Sequence, residues 1–223
     1  MPTPAEIKRQ IDGIVRNLVE IGLANDQNFA IRRNLEGNYV TVTFPQAEHV
    51  SVAMKDRGYS EIYEVMAQER AFTVKMPDGA LVQMMYLFDG HLLERHRLAF
   101  FPAPHLEEFQ NNPDIYLEDD IYADVVARNI VPFPLRFDYD SRADVCREIE
   151  HPKSHLTLGQ YENCRIPVTA PLTPCLFMDF ILRNFYHTAF HRYADRLPRY
   201  DEIFTESILI SERNLIHIQI PGA

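Results

Sequence analysis

The alternation of hydrophobic and polar residues between positions 135 and 168 marks three short strands, and the period then changes to that of a helix. In LRFDYD (135–140), Leu135, Phe137 and Tyr139 fall on one face of an extended chain, and Arg136, Asp138 and Asp140 on the other. In KSHLTLG, Leu156 and Leu158 go to the apolar side, His155 and Thr157 to the polar side. In NCRIPV, Cys164, Ile166 and Val168 point inward, Asn163 and Arg165 outward. Thr173-Pro174 then opens a helix that runs to about Tyr193. Its buried side is Leu176, Phe177, Phe180, Ile181 and Phe185, while Asp179, Arg183, His187 and His191 step by four along another side.

The N-terminal segment carries a second helical pattern. Thr3-Pro4-Ala5-Glu6 forms a capping box with proline at the first helical position. Ile7, Ile11, Ile14, Leu18 and Ile21 follow at helical spacing, and Gly22 is the expected stop. Residues 39–44 (YVTVTF) predict a strand closed by Pro45, and 61–71 a helix; the assignment of 47–70 stays open otherwise. Residues 72–76, 81–88 and 91–101 predict an antiparallel meander turning at Pro77-Asp78-Gly79 and Asp89-Gly90. Residues 102–131, rich in prolines and acidic side chains, read as a long excursion with a short helix near 121–128, a lid or an interface segment. The chain ends in an expected hairpin of 207–210 and 215–220, turning at 212–214. These elements predict one α+β domain over 1–223. Its mostly antiparallel sheet would be covered by the N-terminal helix and the 174–193 helix.

Composition narrows the function classes. The 223 residues carry a net charge of −10, which argues against a broad basic face that coats nucleic acid. Cys146, Cys164 and Cys175 form no CxxC pair; Cys164 and Cys175 sit in apolar contexts and are expected to be buried thiols, in keeping with a reducing cytoplasm. The first residues, MPTPAEIKRQ, have no signal-peptide core, and no apolar run approaches a membrane span, so no membrane partner is expected.

The chemistry concentrates on the polar side of the 135–168 strands. Asp138 and Asp140, alternate residues of one strand, can hold Mg²⁺ or Mn²⁺ beside phosphate oxygens. His155 points to the same face and can contact phosphate, ligate metal or move a proton. Arg136 and Arg165 can neutralise phosphate charge, with Ser154, Thr157 and Asn163 as further substrate contacts. The bland alternative is a structural ion network in which the arginines pair with the aspartates. Arg95 and Arg97 point one way and His96 the other, so these three cannot all serve one site. His187 and His191 have zinc-binding spacing but lack the glutamate of H-E-x-x-H, and His151 beside Pro152 reads as a turn residue. Neither a Walker A loop nor G-x-G-x-x-G is present.

The motifs DGALVQMMYLF, HRLAFFPAP, LRFDYD, HPKSHLTLG, NCRIPV and MDFILRNFY resemble the bacterial family called domain of unknown function 2290, from about residue 58 to the C-terminus. The resemblance implies a bacterial or phage-related cytoplasmic protein, with anti-phage defence as a setting. FDYD with Ser154-His155 is also similar to the apolar-D-apolar-D strand and Ser/His strand of archaeo-eukaryotic primase-polymerases. Here the gap between the two elements is short, and serine and histidine are adjacent. Asp179, Asp201, Glu202 and Glu206 are equal candidates for that family's third acid. The expected function is metal-dependent phosphoryl chemistry, transfer or hydrolysis, on a nucleotide or short nucleic acid. The rival expectation is a non-catalytic partner or regulatory subunit of a defence or toxin–antitoxin operon, with an operon-encoded protein or a second copy as its partner.

Overall fold

The computed structural model describes residues 1–47, 57–104, 133–161 and 163–222. The chain opens with helix α1 (Pro4–Glu20), capped as the sequence predicts: the Glu6 side chain accepts from the Thr3 backbone while the Thr3 hydroxyl accepts from Glu6. At its far end the Leu23 amide returns to the Leu18 carbonyl and the Gly22 amide to Val19, with Gly22 at φ +74. That left-handed turn is one glycine adopts without a steric penalty. The stripe Ile7, Ile11, Ile14 and Leu18 is fully buried.

Among the described residues nine antiparallel strands follow: β1 (Asp26–Gln27), β2 (Ile31–Asn34), β3 (Tyr39–Thr43), β4 (Val74–Lys75), β5 (Leu81–Asp89), β6 (Leu92–Phe101), β7 (Leu135–Asp140), β8 (Ser154–Leu158) and β9 (Ile166–Pro167). They form one sheet in the order β1-β4-β5-β6-β7-β8-β9, and the β2–β3 hairpin joins beside β4 on the same edge of β5. The predicted meander is present, with β4 shortened to two residues.

One face of the sheet packs on α1 and on helix α3 (Pro174–Phe185). Val42, Met84, Phe88, Leu98 and Phe137 supply its inner surface. Phe137 meets Phe177 and Phe180 edge-on, at 6.2 and 5.2 Å between ring centres. On the other face helix α2 (Tyr59–Gln68) covers one end, packing Ile62 and Met66 on Phe44, Phe72 and Leu81. The remainder of that face carries the polar residues described below.

Four expectations differ from the structure. The 174–193 helix is two, α3 and α4 (His187–Tyr193), broken at Tyr186 with φ −132 and ψ 52. Tyr186 is drawn inward: its hydroxyl donates to Asp78 at 2.7 Å and its ring stands edge-on to Phe100. The buried side of α3 is Phe177, Met178, Ile181 and Leu182; Leu176 and Phe180 are half-buried and Phe185 is exposed. The terminal hairpin is absent among the described residues. Residues 210–213 form helix α5 (Ile210–Arg213), whose Glu212 carboxylate accepts from the Leu209 amide. The flanks of α5 bond instead to residues 167–169, where the free edge after β9 offers amides and carbonyls to both Ser207 and Ile218. The three cysteines are unpaired and half-buried, so Cys164 and Cys175 are not closed core thiols. Beyond Pro104, the expected excursion and its helix lie outside the described residues. Among the described residues no helix is long and apolar enough to cross a membrane.

Candidate functional site

The site is built from register. Antiparallel pairing sets Met85 opposite Arg97, Arg97 opposite Asp138, and Asp138 opposite His155, so one row crosses four strands on the face away from α1. The neighbouring row is Arg33, Thr41, Leu87, Arg95 and Asp140. The next on the other side is Gln83, Ala99, Arg136 and Thr157. Because side chains alternate, every member of these rows faces the same way. All of them but Ala99 line a cleft of about 980 Å³, closed at one end by Phe44, Tyr59 and Ile62.

The cleft is electropositive. Six arginines line it (Arg33, Arg95, Arg97, Arg136, Arg142 and Arg165) against two carboxylates, Asp138 and Asp140. Among the described residues that is a surplus of four positive charges, in a chain of net charge −10. Asp138 receives Arg136 Nε at 2.7 Å and Arg97 Nε at 3.3 Å. Burial pushes the Asp138 carboxyl up, but the flanking Arg136, Arg97 and His155 outweigh it and hold it below the ordinary carboxylate value. Asp140 is gripped by Arg142 through Nε at 2.9 Å and Nη2 at 2.7 Å, with the Arg142 amide at 3.1 Å. Desolvation raises the Asp140 carboxyl and these bonds lower it further, leaving it depressed. Arg95 and Arg165 form no ion pair among the described residues, so they are the cations the fold leaves available.

His155 has a defined tautomer. Its Nδ1 lies 2.8 Å from the Pro152 carbonyl, which only accepts, so Nδ1 carries the proton and neutral Nε2 is a bare lone pair. Nε2 faces Asp138 Oδ2 at 4.0 Å. Burial lowers the His155 pKa against the pull of Asp138, which keeps the ring neutral and basic. His151 stands edge-on to His155, 5.0 Å between centres, on a turn that holds Ile149 at φ +70. That is a left-handed conformation a β-branched residue rarely takes.

The structure brings Asp138, Asp140, His155, Arg136, Arg165 and Thr157 together on the cleft, as the alternation predicts. Ser154 is on the opposite face, bonded to Ser207 at 2.8 Å, and Asn163 is exposed outside the cleft. Arg33, Arg95, Arg97 and Arg142 are lining residues that the sequence reading did not assign to the site. Their signal is register, which alternation alone does not carry. None of Asp179, Asp201, Glu202 and Glu206 lines the cleft; Asp179, Glu202 and Glu206 pair with Arg183, Arg9 and Arg213. His187 and His191 bond to each other at 3.0 Å on the exposed side of α4.

Among the described residues no group of three or more histidines, cysteines and carboxylates converges as a metal cage. Asp138 Oδ2, which accepts from Arg136, and His155 Nε2 lie 4.0 Å apart.

The model of the uncharacterized conserved protein family DUF2290 matches residues 23–220, so the chain belongs to that family. No curated protein and no solved structure matches the chain significantly, and nothing in these comparisons supports the primase-polymerase resemblance.

Proposed function

We propose that this DUF2290 member binds the phosphates of a nucleotide or short nucleic acid in its arginine cleft and carries out phosphoryl transfer or hydrolysis there. The observation that carries the reading is the surplus of four positive charges among the described residues lining the cleft of an acidic chain. In a partly desolvated cleft, guanidinium–phosphate pairs are strong and forked, and they stabilise charge that develops in a transition state. Arg95 and Arg165 would meet the ligand first, being uncommitted to a carboxylate. Arg136 and Arg97 would divide their bonds between Asp138 and an arriving phosphate. His155 Nε2 would take a proton from the attacking oxygen, and Thr157 would position a phosphate oxygen. Mg²⁺ or Mn²⁺ would be held by Asp138 with Asp140 and would supply charge neutralisation to the phosphates.

The second reading, a non-catalytic partner or regulatory subunit, draws on two observations. Both aspartates are already neutralised by arginines. In addition, Ile210 and Ile216 near the C-terminus are 83% and 92% exposed, with Leu209, Leu215 and Ile149 also exposed.

Thermal unfolding with Mg²⁺, Mn²⁺ and nucleoside triphosphates separates the two. A ligand specific for the folded state adds about 2.7 kcal/mol of stability at 100 times its Kd. The expected result is a stabilisation that metal strengthens, and that Asp138→Ala with Asp140→Ala strips of its metal dependence while phosphate binding persists. No stabilisation by any of these ligands would transfer the case to the partner reading.

A further inference from the structure

The cleft is divided in character. Five of its six arginines lie between β6 and the approach to β9, with Arg33 apart on β2, and the end where α2 closes the sheet face is lined by Phe44, Tyr59, Ile62, Met85 and Phe101. At the floor of this apolar end is Thr43. It is 7% exposed, and among the described residues its hydroxyl has no hydrogen-bond partner. Val42 pairs with Tyr86, so Thr43 continues the ladder toward Met85 and shares the row of Arg97, Asp138 and His155. Native proteins satisfy nearly all buried polar groups, and an exception lining a cavity points to a group that arrives from outside. The Thr43 oxygen is buried as it stands, and meeting a ligand requires it to turn about χ1 to another staggered well.

We infer that the ligand is a nucleoside polyphosphate bound in one orientation, its base against Met85 and the α2 end, its phosphates over the arginines, and its base edge read by the Thr43 hydroxyl. The inference rests on the proposed phosphate-binding role and adds the base site to it. The spacing agrees: Thr43 and Arg97 are two strands apart, about 10 Å at the usual strand separation, a span that a nucleotide bridges between base and phosphate. The half-buried side chains of Tyr59 and Met85 offer apolar surface that suits an aromatic ring, and a phosphate without an apolar body leaves it wet.

The test is calorimetric titration of the full chain with ATP, GTP, CTP, UTP and inorganic tripolyphosphate, for the wild type and for Thr43→Val. At least one nucleotide is expected to bind tenfold or more tightly than tripolyphosphate. Thr43→Val is expected to weaken that nucleotide about fivefold or more and to leave tripolyphosphate unchanged. Its melting temperature should stay level or rise, because an unpartnered buried hydroxyl is removed. If tripolyphosphate binds as tightly as every nucleotide, or Thr43→Val weakens both alike, the base site is wrong and the phosphate reading stands. If nothing binds, both fall. If the variant does not fold, the wild-type comparison of nucleotide with tripolyphosphate decides alone.

Discussion

Replacing His155 by asparagine is expected to lower the rate of phosphoryl chemistry by about 10²- to 10⁴-fold, the range that general-base catalysis supplies. Asparagine places an amide N–H where Nδ1 now donates to the Pro152 carbonyl, so the anchor of the turn is kept. What disappears is Nε2, the lone pair 4.0 Å from Asp138 Oδ2. Ligand affinity should change by no more than a few-fold, since the arginines carry it. The pH profile gives a readout that a structural role would not move. Burial lowers the His155 pKa, so the wild-type rate should persist below pH 6.5 and fall off on further acidification. An asparagine variant that turns over at the wild-type rate would remove His155 from the chemistry and leave it as a sheet-surface histidine.

The second large effect is on stability. His96 lies on the opposite face of β6 from Arg95 and Arg97 and is 4% exposed, between Tyr86 and Tyr139. Its Nε2 accepts from the Leu172 amide at 3.1 Å, a bond that protonation destroys. Burial pushes its pKa down to about 4, against the pull of Asp138. A lowered histidine pKa means that the unfolded chain binds the proton first. Stability is therefore full above about pH 6.5 and falls as pH drops from there to 4, by about 3 kcal/mol from this group. His151 and His155, also lowered by burial, act in the same direction. Asp78 acts in the opposite one, since burial raises it against the bond from Tyr186. Chemical denaturation at pH 7.0 and pH 4.5 measures the slope, and His96→Gln isolates this residue's share, because the glutamine oxygen can still accept from Leu172. A slope unchanged by His96→Gln would contradict the assignment.

The parts of this architecture that depend on neighbours in sequence are those the pattern carried. Capping chemistry and helical spacing gave α1 with its end at Gly22, and two-residue alternation put Asp138, Asp140, Arg136, His155 and Thr157 on one face. What the pattern lacked was register. That Arg97 stands opposite Asp138 and Arg95 opposite Asp140 depends on how β6 slides along β7, which is set by turn geometry and core packing. The same gap hid Thr43 and Met85, whose place in the row with His155 exists only across five strands. The break at Tyr186 was hidden for a related reason. A tyrosine within an apolar periodic run reads as helix until its hydroxyl finds Asp78, 108 residues away in sequence. The terminal segment misled through its own alternation: 207–210 and 215–220 look like each other's partners, but the edge at 167–169 takes both.

Arg95 and Arg165, which form no ion pair among the described residues, are the groups proposed to hold phosphate on this cleft. The most direct test is calorimetric binding of nucleoside triphosphate to the wild type and to an Arg95→Ala, Arg165→Ala double variant, each at low and high salt. Two charge-assisted hydrogen-bonding groups contribute about 1.5–3 kcal/mol apiece, so the account predicts a loss of about 100-fold or more, with wild-type affinity falling as salt rises. Equal affinity in the two proteins, or no binding to the wild type, would contradict it.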